Sequence, residues 1–277
     1  MRRSNWTTRR IILFALLVLV FYLLLRSYQA PQPSPQPDIP VLISTEAAPG
    51  GPLPADTAAP GPAATAAAGP AGGLPDMPRK PRPAGSDFQG CPPAGDGGDT
   101  ALNQLKNRVD EGDYAPVSFD AVAQLAWPQA IERKRRSDWP AADARDIAAH
   151  EGTPIAVEGY LAGAKEEGPE STNCHGADAQ FRDFHVWLVD QPSTDRSGAV
   201  VVEVTPRLRA KHPAWSIDTL TQLVHAGSHV RISGWLMFDP EHPEQIGKTR
   251  GTLWEIHPIM RIEVERRGQW VALDQLQ

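Results

Sequence analysis

The stretch HVRISGWLMF, residues 229–238, decides the fold. Val230, Ile232 and Leu236 fall on one face of a period-two pattern and Arg231 and Trp235 on the other, the alternation of a half-buried strand. Gly234 interrupts the apolar face in mid-strand, where a sheet that coils sharply has no room for a side chain. A long strand with a glycine at its bend suits a small barrel.

Reading outward from it, the same alternation predicts four more strands. Residues 153–161 put Ile155, Val157 and Leu161 on one face, with Glu158 and Tyr160 on the other and Gly159 as a second coiling point. Residues 183–189 put Phe184, Val186 and Leu188 inward, and residues 199–205 put Val200, Val202 and Val204 inward. Residues 252–264 put Trp254, Ile256, Ile262 and Val264 inward, with Pro258 bending the strand or marking an edge. Between the third and fourth strands, Ser216 or Asp218 starts a short helix through Leu220, Leu223 and Val224 that Gly227 stops. The chain is therefore predicted to be mainly β over residues 151–265, a five-stranded Greek-key barrel with a helix between strands three and four.

That order of elements resembles the oligonucleotide/oligosaccharide-binding (OB) fold, a small, partly open barrel. The likeness runs over residues 152–264, and Ser233-Gly234-Trp235-Leu236 resembles the fourth strand of many such modules. Asn173-Cys174-His175, Asp183-Phe184-His185 and Trp254-Glu255-Ile256-His257-Pro258 also resemble strings in a group of uncharacterised bacterial exported proteins. The resemblance implies a barrel and no particular activity, since such barrels bind nucleic acids, sugars, proteins and metals alike.

Upstream the chain changes character. Arg2, Arg3, Arg9 and Arg10 precede an unbroken apolar run over residues 11–25, closed by Arg26. Fifteen apolar residues are short for a span, which takes roughly 17–25, but interfacial Tyr28 and the Arg26 stem bring the run close. The alternatives are an uncleaved anchor over 11–26 and a cleaved signal peptide. Tyr28 and Pro31 around the candidate cleavage point after Ala30 favour the anchor. The arginines then leave residues 1–10 in the cytoplasm of a bacterium, with a single pass through the inner membrane and the remainder periplasmic. Residues 27–98, rich in Pro, Ala and Gly, read as a disordered linker with too few large apolar side chains to offset the entropy of ordering. Cys91 and Cys174 both lie on the exported side, where a disulfide is chemically allowed although their spacing does not demand one.

Residues 99–150 read as a helical extension of the barrel. Asp99 or Thr100 caps a helix through Leu102, Leu105 and Val109 that Gly112 ends, and Ser118 caps a second through Phe119, Val122 and Leu125. The run Glu132-Arg133-Lys134-Arg135-Arg136 reads as a solvated helix face, and residues 266–277 as a tail. The net charge of −6 argues against a nucleic-acid partner, which normally selects a basic surface.

The candidate site is the face that points away from the barrel interior. Tyr160, His185, Trp187, Glu203, Trp235, Glu255 and His257 fall on it, and Arg207 sits in the one basic cluster just after strand three. Two long loops flank it, residues 162–182 and 239–251, where OB ligands lie over strands two and three. Three readings fit these residue types. A binding module would stack an unidentified peptide, glycan or protein on Tyr160, Trp187 and Trp235. A zinc site would draw on Cys174, His175, His185 and His257, with Glu203 or Glu255, and activate water for hydrolysis. In the third reading His185 and His257 bond across the sheet to Glu203 and Glu255, and the tryptophans pack under the helices of 99–150. No nucleophile elbow, phosphate loop or dinucleotide fingerprint is present.

Overall fold

The computed structural model describes Leu74 and residues 85–276. The predicted cytoplasmic tail, the membrane segment over 11–26 and the linker up to residue 84, Leu74 apart, lie outside the described residues. Among the described residues no helix is long and apolar enough to cross a membrane.

Seven strands make one sheet: β1 (Ala115–Val117), β2 (Pro154–Glu166), β3 (Phe184–Val189), β4 (Val200–Val204), β5 (His229–Phe238), β6 (Trp254–Arg266) and β7 (Gln269–Ala272). The helices are α1 (Thr100–Lys106), α2 (Phe119–Ala123), α3 (Ala141–Ala148), α4 (Pro206–Arg209) and α5 (Ile217–His225). Neighbours run β2-β3-β4-β6-β5, and β5 pairs back onto β2, which closes a five-stranded barrel. Every barrel pairing is antiparallel except β4 with β6. β1 adds in parallel to β2, and β7 adds antiparallel to β6. The molecule is thus mainly β, a closed barrel with two extra strands and few helices, compatible with an OB-like fold.

The predicted inward residues of all five strands lie in one buried cluster, each 5 % exposed or less. Each Val, Ile or Leu so buried contributes roughly 1.5–3 kcal/mol. α5 begins at Ser216, whose side chain accepts from the Thr219 amide, and packs Leu220 and Leu223 towards β2. Gly227, at φ +55°, ends it.

Two bulges reshape the barrel. In β2, Leu161 pairs with Leu188 and Gly163 with Trp187, so Ala162 is an extra residue. In β6, Gly234 pairs with Ile259 and Leu236 with Ile256, so His257 and Pro258 together oppose Trp235. Proline, having no N–H to give the ladder, is at home in such a bulge. A Cβ on Gly234 would collide with the Pro258 carbonyl oxygen and the Ile256 side chain, so strand and bulge touch backbone to backbone.

Within the barrel, β2 runs on to Glu166, pairing with β3 over residues read as the start of a loop at 162–182; the other differences from the sequence reading lie outside it. The first helix stops at Lys106 rather than Gly112, because Asn107 and Arg108 are drawn into tertiary bonds. Asn107 Nδ2 donates to the carbonyls of Pro93 and Thr172, and the Arg108 guanidinium pairs with Asp110 and lies 3.4 Å over the Trp235 ring. The basic run at 132–136 is no helix face. Arg136 is turned inward, bidentate to Glu151 at 2.7 and 2.6 Å and donating to the Phe238 carbonyl. The tail instead forms β7, returned by a two-residue turn in which Arg267 and Gly268 both have positive φ.

Residues 85–98, read as the end of the linker, are folded onto the barrel as a strap. Cys91 and Cys174 form a disulfide. Arg207 donates to Asn107 Oδ1 and to the carbonyls of Ser86, Cys91 and Pro92.

Candidate functional site

Strand register assembles the site. Lys165 on β2 stands opposite His185 on β3, and His185 opposite Glu203 on β4. Val201 stands beside Glu255 on β6, so the parallel pairing carries His257 to the side of Glu203. These residues point outward, yet Glu203 and His185 are only 6 % exposed and Glu255 and His257 only 1 %. The loops at 167–183 and 239–253 and the strap with α1 supply the cover. Leu102 and Leu105 of α1 pack on Met237 of β5, and Lys106, one turn after Leu102, follows them inward.

The polar contacts form a chain. His185 Nδ1 lies 3.0 Å from Glu167 Oε1 and 3.3 Å from Glu203 Oε1. Glu203 Oε2 lies 3.3 Å from His257 Nδ1, and Glu255 Oε2 is 3.7 Å from the same nitrogen. Arg250 Nη1 joins Glu255 Oε1 at 2.9 Å to Asp239 Oδ2 at 2.8 Å, and Asp239 in turn holds His242 at 2.7 Å. Lys106 Nζ is 3.7 Å from Glu170. His257 has no hydrogen-bond partner on either ring nitrogen, and Glu203 Oε2 has none, although all three atoms are buried.

Charge coupling dominates the electrostatics. Burial disfavours the Glu203 carboxylate, but the charge of His257, the bond from His185 and Lys106 together hold it well below the usual carboxylate range. Asp239 behaves alike, burial being outweighed by His242 and Arg250. His185 is raised to about 9 against the burial penalty by its bonds to Glu167 and Glu203. Asp183 has no such partner. Burial, assisted by Glu170 and Glu203, pushes it up to about 8.

A pH prediction follows for Asp183, whose Oδ2 accepts from Asn173 Nδ2 at 2.9 Å. Its folded pKa near 8 exceeds the unfolded value of ~3.9, so its contribution to stability is complete below ~4 and is lost as pH rises through about 8. Asp183→Asn removes that loss. The urea midpoint of the variant relative to the native protein should climb steadily from pH 5 to pH 8. A difference independent of pH would contradict the assignment.

The predicted site residues separate into those the fold brings together and those it does not. His185, Glu203, Glu255 and His257 meet. Cys174 is bound in the disulfide and has no thiolate to offer, and the exposed His175 directs Nε2 to the Asp96 carbonyl at 3.0 Å. Among the described residues, the one group of three or more His, Cys, Asp or Glu whose ligand atoms all lie within 4.8 Å of each other is Glu203, Glu255 and His257. The stacking residues are covered by the protein itself. Trp235 is 1 % exposed, roofed by Arg108 and donating Nε1–H to the Asp110 carbonyl. Trp187 lies between Arg196, 3.9 Å over its ring, and His185. Tyr160 stacks on His229 at 5.1 Å and is half-buried. Arg207 is spent on the strap. Lys106 and Asp239 lie outside the residues that strand alternation points to, and the signal available for Lys106 is its place one turn after Leu102 on an apolar helix face.

Beside this face lies a pocket of about 360 Å³, lined by Asp99, Asn103 and Lys106, by Glu170 and Thr172 of the first long loop, and by Glu241 and His242 of the fourth. Fold and site together define a closed five-stranded barrel with a buried carboxylate–histidine face and a polar pocket at its rim. No protein-family model and no curated protein matches the chain.

Proposed function

We propose that the protein is an OB-type binding module, carried outside a bacterial inner membrane by residues 11–26 and the linker, that takes a small polar ligand in the rim pocket. The supporting observation is the pocket's position. OB barrels take their ligands over strands two and three, between the first and fourth loops, and here those loops form two of the pocket walls. The strap and α1 cover the rest of that face, which favours a short ligand over a polymer. Asp99, Glu170 and Glu241 outnumber Lys106 and His242 on the walls, so the ligand carries positive charge, as the amino end or a lysine side chain of a peptide does. The alternative, a metal-dependent hydrolase on the same face, draws its support from the geometry at His257.

Calorimetric titration of the full-length protein in detergent with trilysine, triglutamate and a short oligothymidylate tests the reading. Trilysine should bind and the two polyanions should not, and Glu241→Gln should weaken trilysine about tenfold, the loss of one charge-assisted contact. Failure of trilysine to bind, or equal binding of the polyanions, would sink it.

A further inference from the structure

We propose that Glu203, Glu255 and His257 form a binding site for a divalent transition-metal ion, with zinc the best match to the donor set. The inference goes beyond the pocket reading and does not need it. Carboxylate oxygen and imidazole nitrogen are ordinary zinc donors, and two of them, each 2.0–2.1 Å from a tetrahedral ion, stand about 3.3 Å apart. Glu203 Oε2 and His257 Nδ1 are 3.3 Å apart, and Glu255 Oε2 is 3.7 Å from the same nitrogen.

These close approaches lack hydrogen-bond geometry and join His257 to the two carboxylates by charge alone. His257, 1 % exposed, makes no hydrogen bond through either ring nitrogen, and Glu203 Oε2 makes none. A buried imidazole without hydrogen bonds costs the fold stability. Polar atoms that converge without bonding one another are arranged as ligands are around a common centre.

The surroundings orient the same atoms. Glu203 Oε1 is engaged by His185 Nδ1, and Glu255 Oε1 by Arg250 Nη1, which Asp239 anchors on its other side. Each carboxylate therefore has one oxygen held from outside and turns the other to His257, the way outer partners set metal ligands. The bulge at His257 and Pro258 aims the imidazole, and β4 and β6 give all three side chains rigid backbone. Three protein donors leave a fourth tetrahedral position for water or a ligand group.

The test is zinc binding by the full-length protein after chelator treatment, measured by competition with a chromophoric chelator and by the zinc-dependent rise in melting temperature. One equivalent should bind, and cobalt(II) in its place should show the intense visible absorption of a tetrahedral site. Glu203→Gln and Glu255→Gln, close in shape to the native residues, should each weaken zinc at least 100-fold, while Glu158→Gln, at an exposed position of β2, leaves it unchanged. Absence of stoichiometric zinc and of any melting shift in the native protein would overturn the site. So would zinc binding that both Gln variants retain. If the variants do not fold, the native protein's stoichiometry, melting shift and cobalt spectrum decide alone. Zinc without trilysine binding would leave this site standing and remove the pocket reading, and the converse holds.

Discussion

Arg250→Ala should destabilise the barrel by about 3–5 kcal/mol, the usual cost of removing one partner from a buried ion pair. The side chain is 1 % exposed, and one nitrogen joins Asp239 at 2.8 Å to Glu255 at 2.9 Å. Truncation leaves two buried carboxylates facing each other across a cavity. Against a typical total of roughly 5–15 kcal/mol, such a loss brings the domain close to unfolding. Urea denaturation would show a large drop in midpoint, and adding Asp239→Asn and Glu255→Gln to an Arg250→Met background should recover most of it, because the uncompensated charge is then gone. A cost below about 1 kcal/mol for Arg250→Ala would mean that water reaches the cluster. Arg250 also holds Glu255 for the proposed metal, so a folded Arg250→Lys variant should bind zinc about 10–100-fold more weakly.

The second large effect belongs to the disulfide. Replacing Cys91 and Cys174 by Ser together should cost about 2–4 kcal/mol, since the bridge closes a loop across a sequence separation of 83 and constrains the unfolded chain accordingly. The strap should loosen rather than leave. Arg207 still donates to three of its carbonyls and to Asn107, and Asn107 still bonds Pro93 and Thr172. Denaturation without reductant should therefore show a lower midpoint with a single transition, and limited proteolysis should cut first within 85–98. Equal midpoints for the native protein with and without reductant would contradict the assignment.

Most of the barrel was legible because its physics is local. Alternation along 229–238 and its neighbours reports which side chains share a face, and every residue so read as inward is buried. Gly234 and Pro258 marked the tight corner because a missing side chain and a missing N–H each leave few places where a residue fits. The extra strands were harder to read. β1 has three residues, and β7 depends on a turn at Arg267 and Gly268 without the usual Asn-Gly signal.

The site was half legible, and the missing half has one cause. Period-two patterning correctly put His185, Glu203, Glu255 and His257 on the outward face, which made an open, wet surface the natural expectation. Whether that face meets water depends on segments far away in sequence: the strap joined to Cys174, Arg108 over Trp235, and Lys106 beneath α1. The sequence by itself determined the barrel, its inward core and the residue types available for chemistry, because these follow from side-chain alternation and backbone chemistry within single strands. Only the tertiary structure decided that the polar face is buried, that its tryptophans are covered, and that Glu203, Glu255 and His257 converge. Those outcomes rest on parallel register between β4 and β6 and on long-range docking, whose free energies no local pattern carries.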